Sequence, residues 1–337
     1  MEHKIFALGD FALQKGGAVI PDAKLGYVTL GELNDAKDNV VVCPTWFTAT
    51  PSDTAFWLTG SERALNPERW FIVIPNHFGA AVSSSPSNTP PPFDRGRFPR
   101  VTTYDNVVAQ HRLLTEEFGV ERIRLVTSWS MGACQSYAWA ALHPEMVEAI
   151  GPISGSARTA NFNKVFLAGN IRAITGDAAW KGGFYAADAP PVAGVRAMAA
   201  VYAGWGFSEP FYRQELFRAF GAADPDEFIE LFWDQFFQKC DANDLLAQMW
   251  TWKHNDLGDH PDFGGDFEAA LRAIRARTII IQAETDSYFP PVDSEYEAKT
   301  IPEAELRVIP TIWGHIAPFN PEDQVFIDKA ITELLAR

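Results

Sequence analysis

The sequence predicts an α/β protein with a mostly parallel central sheet flanked by helices, and a helical segment inserted between two core strands. Short β-branched apolar runs recur along the chain, and longer stretches with helical spacing alternate with them. Between about residues 156 and 270 the strand-like runs give way to helical segments rich in Phe, Trp and Ala.

Residues 24–33 alternate apolar and polar, the pattern of antiparallel edge strands with one wet face. Core strands are expected near residues 39–43, 71–74, 123–126, 147–153, 278–283 and 305–309. Most of these read as nearly unbroken apolar runs, as strands covered on both faces do. Helices are expected over residues 105–118, 131–142 and 321–335. The run Ser83-Ser84-Ser85-Pro86-Ser87-Asn88-Thr89-Pro90-Pro91-Pro92 reads as a surface loop. The chain therefore divides into a first core part, residues 1–155, a helical lid, residues 156–270, and a second core part, residues 271–337. An insertion of this kind lies over the C-terminal ends of the strands, where open α/β sheets hold their ligands. It is also the expected face for a homodimer.

Composition narrows the function. The chain has 337 residues, 47% of them hydrophobic, with 11 Trp and 25 Phe, enough for a large core and an aromatic cavity or interface. A formal net charge of −15 disfavours nucleic acids and anionic membranes as partners. Cys43, Cys134 and Cys240 are far apart in sequence and read as packing residues rather than a disulfide framework or a zinc site. Residues 1–10 lack the apolar stretch of a secretory signal, and no run approaches membrane-spanning length, so a reducing cytoplasm is expected. No cofactor or metal is implied: His254, Asp256, Asp259 and His260 crowd together, but their spacing matches no common ligand helix. Asn76-His77 follows a core strand and reads either as pocket border or as a capped strand end.

The chemistry is carried by Leu125-Val126-Thr127-Ser128-Trp129-Ser130-Met131-Gly132-Ala133-Cys134, an apolar strand entering a helix through a turn of small residues. This is a nucleophile elbow, in which a sharp bend lifts the Ser130 hydroxyl clear of the sheet toward a base. Gly132 fills the last position of Gly-x-Ser-x-Gly, and Ser128 stands where the first glycine is usual. An acid and a histidine should follow in chain order on loops after late strands. Asp286 follows the strand at 278–283, with Glu284 as a rival acid, and His315 follows the strand at 305–309 after Gly314. The predicted trio is Ser130, Asp286 and His315.

These residues, with Phe98-Pro99-Arg100-Val101-Thr102-Thr103-Tyr104-Asp105-Asn106-Val107 and Phe237-Gln238-Lys239-Cys240-Asp241-Ala242-Asn243, resemble the homoserine O-acetyltransferase family of α/β-hydrolases over most of the chain. The resemblance implies the α/β-hydrolase fold, with Ser130 as nucleophile, Asp286 as orienting acid and His315 as base. The elbow helix implies the Met131 N–H as one oxyanion donor. Alignment of Pro44-Thr45-Trp46-Phe47-Thr48 with the family implies the Trp46 N–H as the second, with Phe47 as its rival.

Two departures bear on substrate. Members that use homoserine carry an aspartate directly after the histidine, where this chain has Ile316. They also carry an arginine after a tyrosine in the middle region, whereas Tyr202-Ala203-Gly204-Trp205-Gly206-Phe207-Ser208 holds no cation. A zwitterionic substrate loses both anchors, and burying its charges unpaired costs several kcal/mol. The expected function is hydrolysis of a small neutral carboxylic ester through an acyl-enzyme. The alternatives are an acyl-CoA-dependent O-acyltransferase and a slow, ligand-sensing hydrolase that contacts a partner through its lid.

Overall fold

Successive residues of the core strands point into different hydrophobic clusters. Val41, Ile72 and Ile74 face one, and Val40, Val42 and Val73 face the other. A sheet with this pattern must be covered on both sides. The computed structural model describes residues 1–336 and has one eight-stranded sheet in the order β1-β2-β4-β3-β5-β6-β7-β8. The strands are β1 (Lys4–Ala12), β2 (Val19–Leu30), β3 (Val40–Val42), β4 (Phe71–Pro75), β5 (Leu125–Trp129), β6 (Ala149–Ile153), β7 (Arg277–Ala283) and β8 (Ala304–Ile309). The β1–β2 and β2–β4 pairs are antiparallel, and every pairing from β4 to β8 is parallel.

Helices α1 (Pro51–Leu58), α2 (Thr103–Arg112) and α3 (Met131–Leu142) belong to the first half of the sheet, and α11 (Pro291–Thr300) and α12 (Pro321–Ala336) to the second. Between β6 and β7 lie α4 (Asn161–Thr175), α5 (Val192–Gly206), α6 (Glu209–Arg213), α7 (Pro225–Phe228), α8 (Gln235–Phe237), α9 (Ala242–Lys253) and α10 (Phe267–Arg272). Phe166, Met198, Tyr202 and Trp252 from this segment pack into the same cluster as Val41 and Ile74. Among the described residues no helix is long and apolar enough to cross a membrane.

Sequence expectation and structure differ at instructive places. The elbow strand runs from Leu125 through Trp129, and Ile123 makes only an isolated bridge to Val147. The helix expected over 105–118 begins at Thr103, because Thr102 and Asp105 cap each other reciprocally, and widens to a π-turn over Leu113–Glu117. β1 carries no alternating signature in the sequence because its pairing with β2 shifts register twice, around Gly9, so its buried Phe6, Leu8 and Phe11 do not keep a period of two. The serine-rich segment is not a plain surface loop. Ser83 and Ser85 are buried, and the hydroxyls of Ser83 and Ser84 accept the N–H groups of Gly26 and Lys24 in β2. They supply partners that backbone amides buried beneath a loop require.

Candidate active site

The crossing of the chain from β3 out to β4 and back to β5 creates a switch point, and the loops after β3 and β5 open side by side at the C-terminal edge of the sheet. Ser130 sits immediately after β5. Its backbone has φ 58° and ψ −126°, a conformation that residues other than glycine rarely take, and its N–H donates to the Ile153 carbonyl at 2.8 Å. Small neighbours make this bend possible. A Cβ on Gly132 would lie 2.4 Å from both the Pro44 oxygen and the Ser128 Oγ, and one on Gly155 would lie 2.5 Å from the Ala133 Cβ. Ser128 fits where glycine is usual because its hydroxyl occupies the space beside Gly132, which has no Cβ, and donates to the Pro44 carbonyl at 2.5 Å. That bond ties the elbow to the loop after β3.

Asp286 and His315 arrive from the ends of β7 and β8. The Asp286 Oδ1 accepts the N–H groups of Tyr288 at 2.8 Å and Phe289 at 3.0 Å, which leaves Oδ2 for the His315 Nδ1 at 2.8 Å. The other ring nitrogen, Nε2, is 2.8 Å from the Ser130 Oγ. Glu284, the rival acid, is exposed, while Asp286 is buried. Thr285 joins the two loops, its hydroxyl donating to the Thr311 carbonyl and accepting the Gly314 N–H. The imidazole stacks on Trp129 with ring centroids 4.6 Å apart and meets the edge of Tyr288 at 4.7 Å. Trp129 Nε1 also donates to the His315 carbonyl at 3.1 Å. The ring therefore has one orientation and little access to water.

The loop after β3 is held at both ends. Thr45 donates its N–H to the Pro75 carbonyl and accepts at its own carbonyl from Gln135 Nε2 of α3, and the Thr48 N–H donates to Gln248 Oε1 of α9. Between these anchors the N–H groups of Trp46 and Phe47 meet no acceptor among the described residues, and neither does the N–H of Met131 at the start of α3. Ser130 lines a cavity of about 740 Å³, with Trp46, Trp129, Tyr202, Trp233, Phe237 and Ile316 among its walls. Ile316 and Tyr202 thus border the same cavity as Ser130. Toward α8 and α9 the wall turns polar, with Lys239, Asp241 and Asp244. Burial pushes the Asp244 carboxyl up to about 7, although it accepts from the Ser87 N–H and hydroxyl.

Residues that sequence reasoning did not single out include Gln248 and Trp233, which come from the inserted segment and carry no local motif. His77, which sequence left between two roles, is buried, with its ring between Thr45 and Gln248. His254, Asp256, Asp259 and His260 do not converge on one point. Asp256 pairs with Arg158, Asp259 with Lys15, and His254 stacks on Trp250.

Residues 38–321 match the family model for the alpha/beta hydrolase fold. The chain is 34% identical over 335 residues to an ethyl acetate hydrolase of Pseudomonas veronii, covering 99% of this chain and 95% of that protein. A crystal structure of an acetylester hydrolase from Corynebacterium glutamicum superposes with a TM-score of 0.95 at 34% identity, over 100% of this chain and 96% of that one. A homoserine O-acetyltransferase of Nostoc punctiforme is more distant, 31% identical over 323 residues, 90% of this chain and 88% of that protein. The chain belongs to the α/β-hydrolase family. Within it, the chain is more similar to these ester hydrolases than to the homoserine O-acetyltransferases.

Proposed function

We propose that this carboxylic-ester hydrolase cleaves small neutral esters, acetate esters of apolar alcohols foremost, through an acyl-enzyme on Ser130. The observation that carries the reading is the unbroken line Asp286–His315–Ser130, with two contacts of 2.8 Å beside an aromatic cavity. His315 takes the Ser130 proton as Oγ attacks the ester carbonyl, and Asp286 steadies the imidazolium that forms. The N–H groups of Met131 and Trp46 receive the developing oxyanion, aided by the positive end of α3. The alkoxide leaves with the proton from His315, and water activated by the same ring then releases the acid and frees Ser130. The names of the two ester-hydrolysing relatives support acetate as the acyl group, and the apolar wall at Ile316 and Tyr202 supports a neutral substrate.

The test is turnover of ethyl acetate and p-nitrophenyl acetate by the wild type and by Ser130→Ala, with and without acetyl-CoA plus homoserine. Hydrolysis lost in Ser130→Ala and indifferent to the additions is expected. Acetyl transfer to homoserine with negligible hydrolysis would overturn the reading in favour of the acyltransferase.

A further inference from the structure

The cavity wall behind Trp46 contains a hydrogen-bonded chain with no part in proton transfer from Ser130. The Gln248 amide has a fixed orientation, because its Nε2 donates to the carbonyls of Gly79 and Asp244, each at 3.1 Å. Its Oε1 therefore faces the other way, accepting the Thr48 N–H at 2.8 Å and lying 3.2 Å from the His77 Nε2. An amide oxygen only accepts, so His77 carries its proton on Nε2. Its Nδ1 is then the acceptor for the Thr45 hydroxyl, 2.8 Å away. Burial holds the ring neutral by pushing its pKa down to about 4. One residue of α9 thus reaches both ends of the loop after β3, directly at Thr48 and through His77 at Thr45.

That loop is under strain which such anchors can hold. Thr48 has φ 70°, a conformation costly for a β-branched residue, and such geometry persists only where the surroundings enforce it. We propose that Gln248 and His77 are positioning residues that fix the backbone of Thr45–Thr48, so that its N–H groups aim at the oxyanion and their alignment depends on the docking of α9. The proposal rests on the reading of Ser130 as nucleophile and of this loop as an oxyanion donor. A merely structural role would show as lost stability. A positioning role shows in transition-state binding, since a displacement on the order of 1 Å costs about a hundredfold in rate.

The experiment compares wild type, Thr45→Val, Thr45→Ser and Gln248→Met with Val107→Ala, a core substitution in α2. The readouts are kcat and KM on p-nitrophenyl acetate, affinity for a trifluoromethyl ketone that forms a hemiketal on the serine, and Tm. Thr45→Val is the milder variant, because it removes one hydroxyl and leaves the backbone bonds of Thr45 in place. Expected are falls in kcat of roughly ten- to a hundredfold for Thr45→Val and Gln248→Met, with KM within about threefold. Ketone affinity should fall in parallel, and Thr45→Ser should recover most of the loss. Thr45→Val and Gln248→Met retaining kcat within twofold, or losing no more than Val107→Ala at equal Tm, would overturn the proposal. Ser130→Ala in the same assay separates the two failures: continued turnover sinks the nucleophile assignment, whereas a dead Ser130→Ala beside a fully active Gln248→Met sinks the positioning role alone.

Discussion

Glu297 of α11 is a buried carboxyl directly behind the elbow helix, and replacing it with glutamine should change how stability depends on pH. Its Oε1 accepts the Ala157 N–H at 2.7 Å, and its Oε2 accepts from the Tyr137 hydroxyl of α3 at 2.7 Å. Burial pushes its pKa from 4.5 up to about 8, the two hydrogen bonds opposing and Asp293 adding to the rise. Because the folded-state value lies above the unfolded one, the native protein keeps a proton that the unfolded chain releases. The contribution is fully present below about 4.5 and is lost as pH rises toward about 8, with no further change above that. At about 1.4 kcal/mol per unit the whole window amounts to roughly 5 kcal/mol as a ceiling. Spread over 337 residues at about 2.1 cal/mol/K per residue, this corresponds to roughly 7 °C in Tm. Glu297→Gln keeps an oxygen for Ala157, and its amide nitrogen can donate to the Tyr137 oxygen. Any cost of that rearrangement is independent of pH. The other raised carboxyls, Asp105, Asp234, Asp244 and Asp293, titrate with the same sign in both proteins and cancel in the difference. Tm of wild type and Glu297→Gln, measured by calorimetry between pH 4.5 and 9, should therefore diverge, the variant gaining on the wild type as pH rises to about 8 and the difference then levelling off. A difference in Tm that stays constant across that range would refute a buried, protonated Glu297.

Two further outcomes are expected. Asp286→Asn keeps an oxygen for the Tyr288 and Phe289 N–H groups but turns an amide donor toward His315 Nδ1, which forces the ring proton onto Nε2 and leaves no base for Ser130. Ester turnover should fall by about three to four powers of ten with Tm within a few degrees of wild type, and a smaller loss would count against the triad. Gly132→Ala places a methyl 2.4 Å from the Pro44 oxygen and the Ser128 Oγ. Overpacking of this kind costs about 1–3 kcal/mol and should move the loop after β3 away from the elbow. A lower urea midpoint and at least a tenfold lower kcat are expected; unchanged values for both would mean that the elbow is more pliable than its contacts imply.

The elbow, the acid and the histidine were legible in the sequence because each is a local event: an apolar run ends, small or turn-forming residues follow, and a reactive side chain stands at the junction. Strands β3, β4 and β7 were legible for the same reason, since burial on both faces writes itself as a largely β-branched apolar run. β1 was not, because its register shifts scramble the alternation on which reading a half-exposed strand depends. The burial of Ser83 and Ser84 was hidden as well, because a serine in a loop and a serine pairing with β2 have the same local sequence.

What the sequence by itself determined is the chain order of Ser130, Asp286 and His315, which the fold brings into one hydrogen-bonded line, and the absence of a carboxylate at Ile316. Tertiary structure decided which acid meets His315: Asp286 and Glu284 are two residues apart, and only the turn after β7 buries one and exposes the other. It also decided what holds the loop after β3, where Gln248 stands 200 residues from Thr48 and 171 from His77 in the chain. Hydrogen bonds of that kind depend on where helices dock on the sheet. No local spacing encodes docking, because it emerges from the packing of the whole inserted segment against the strand ends.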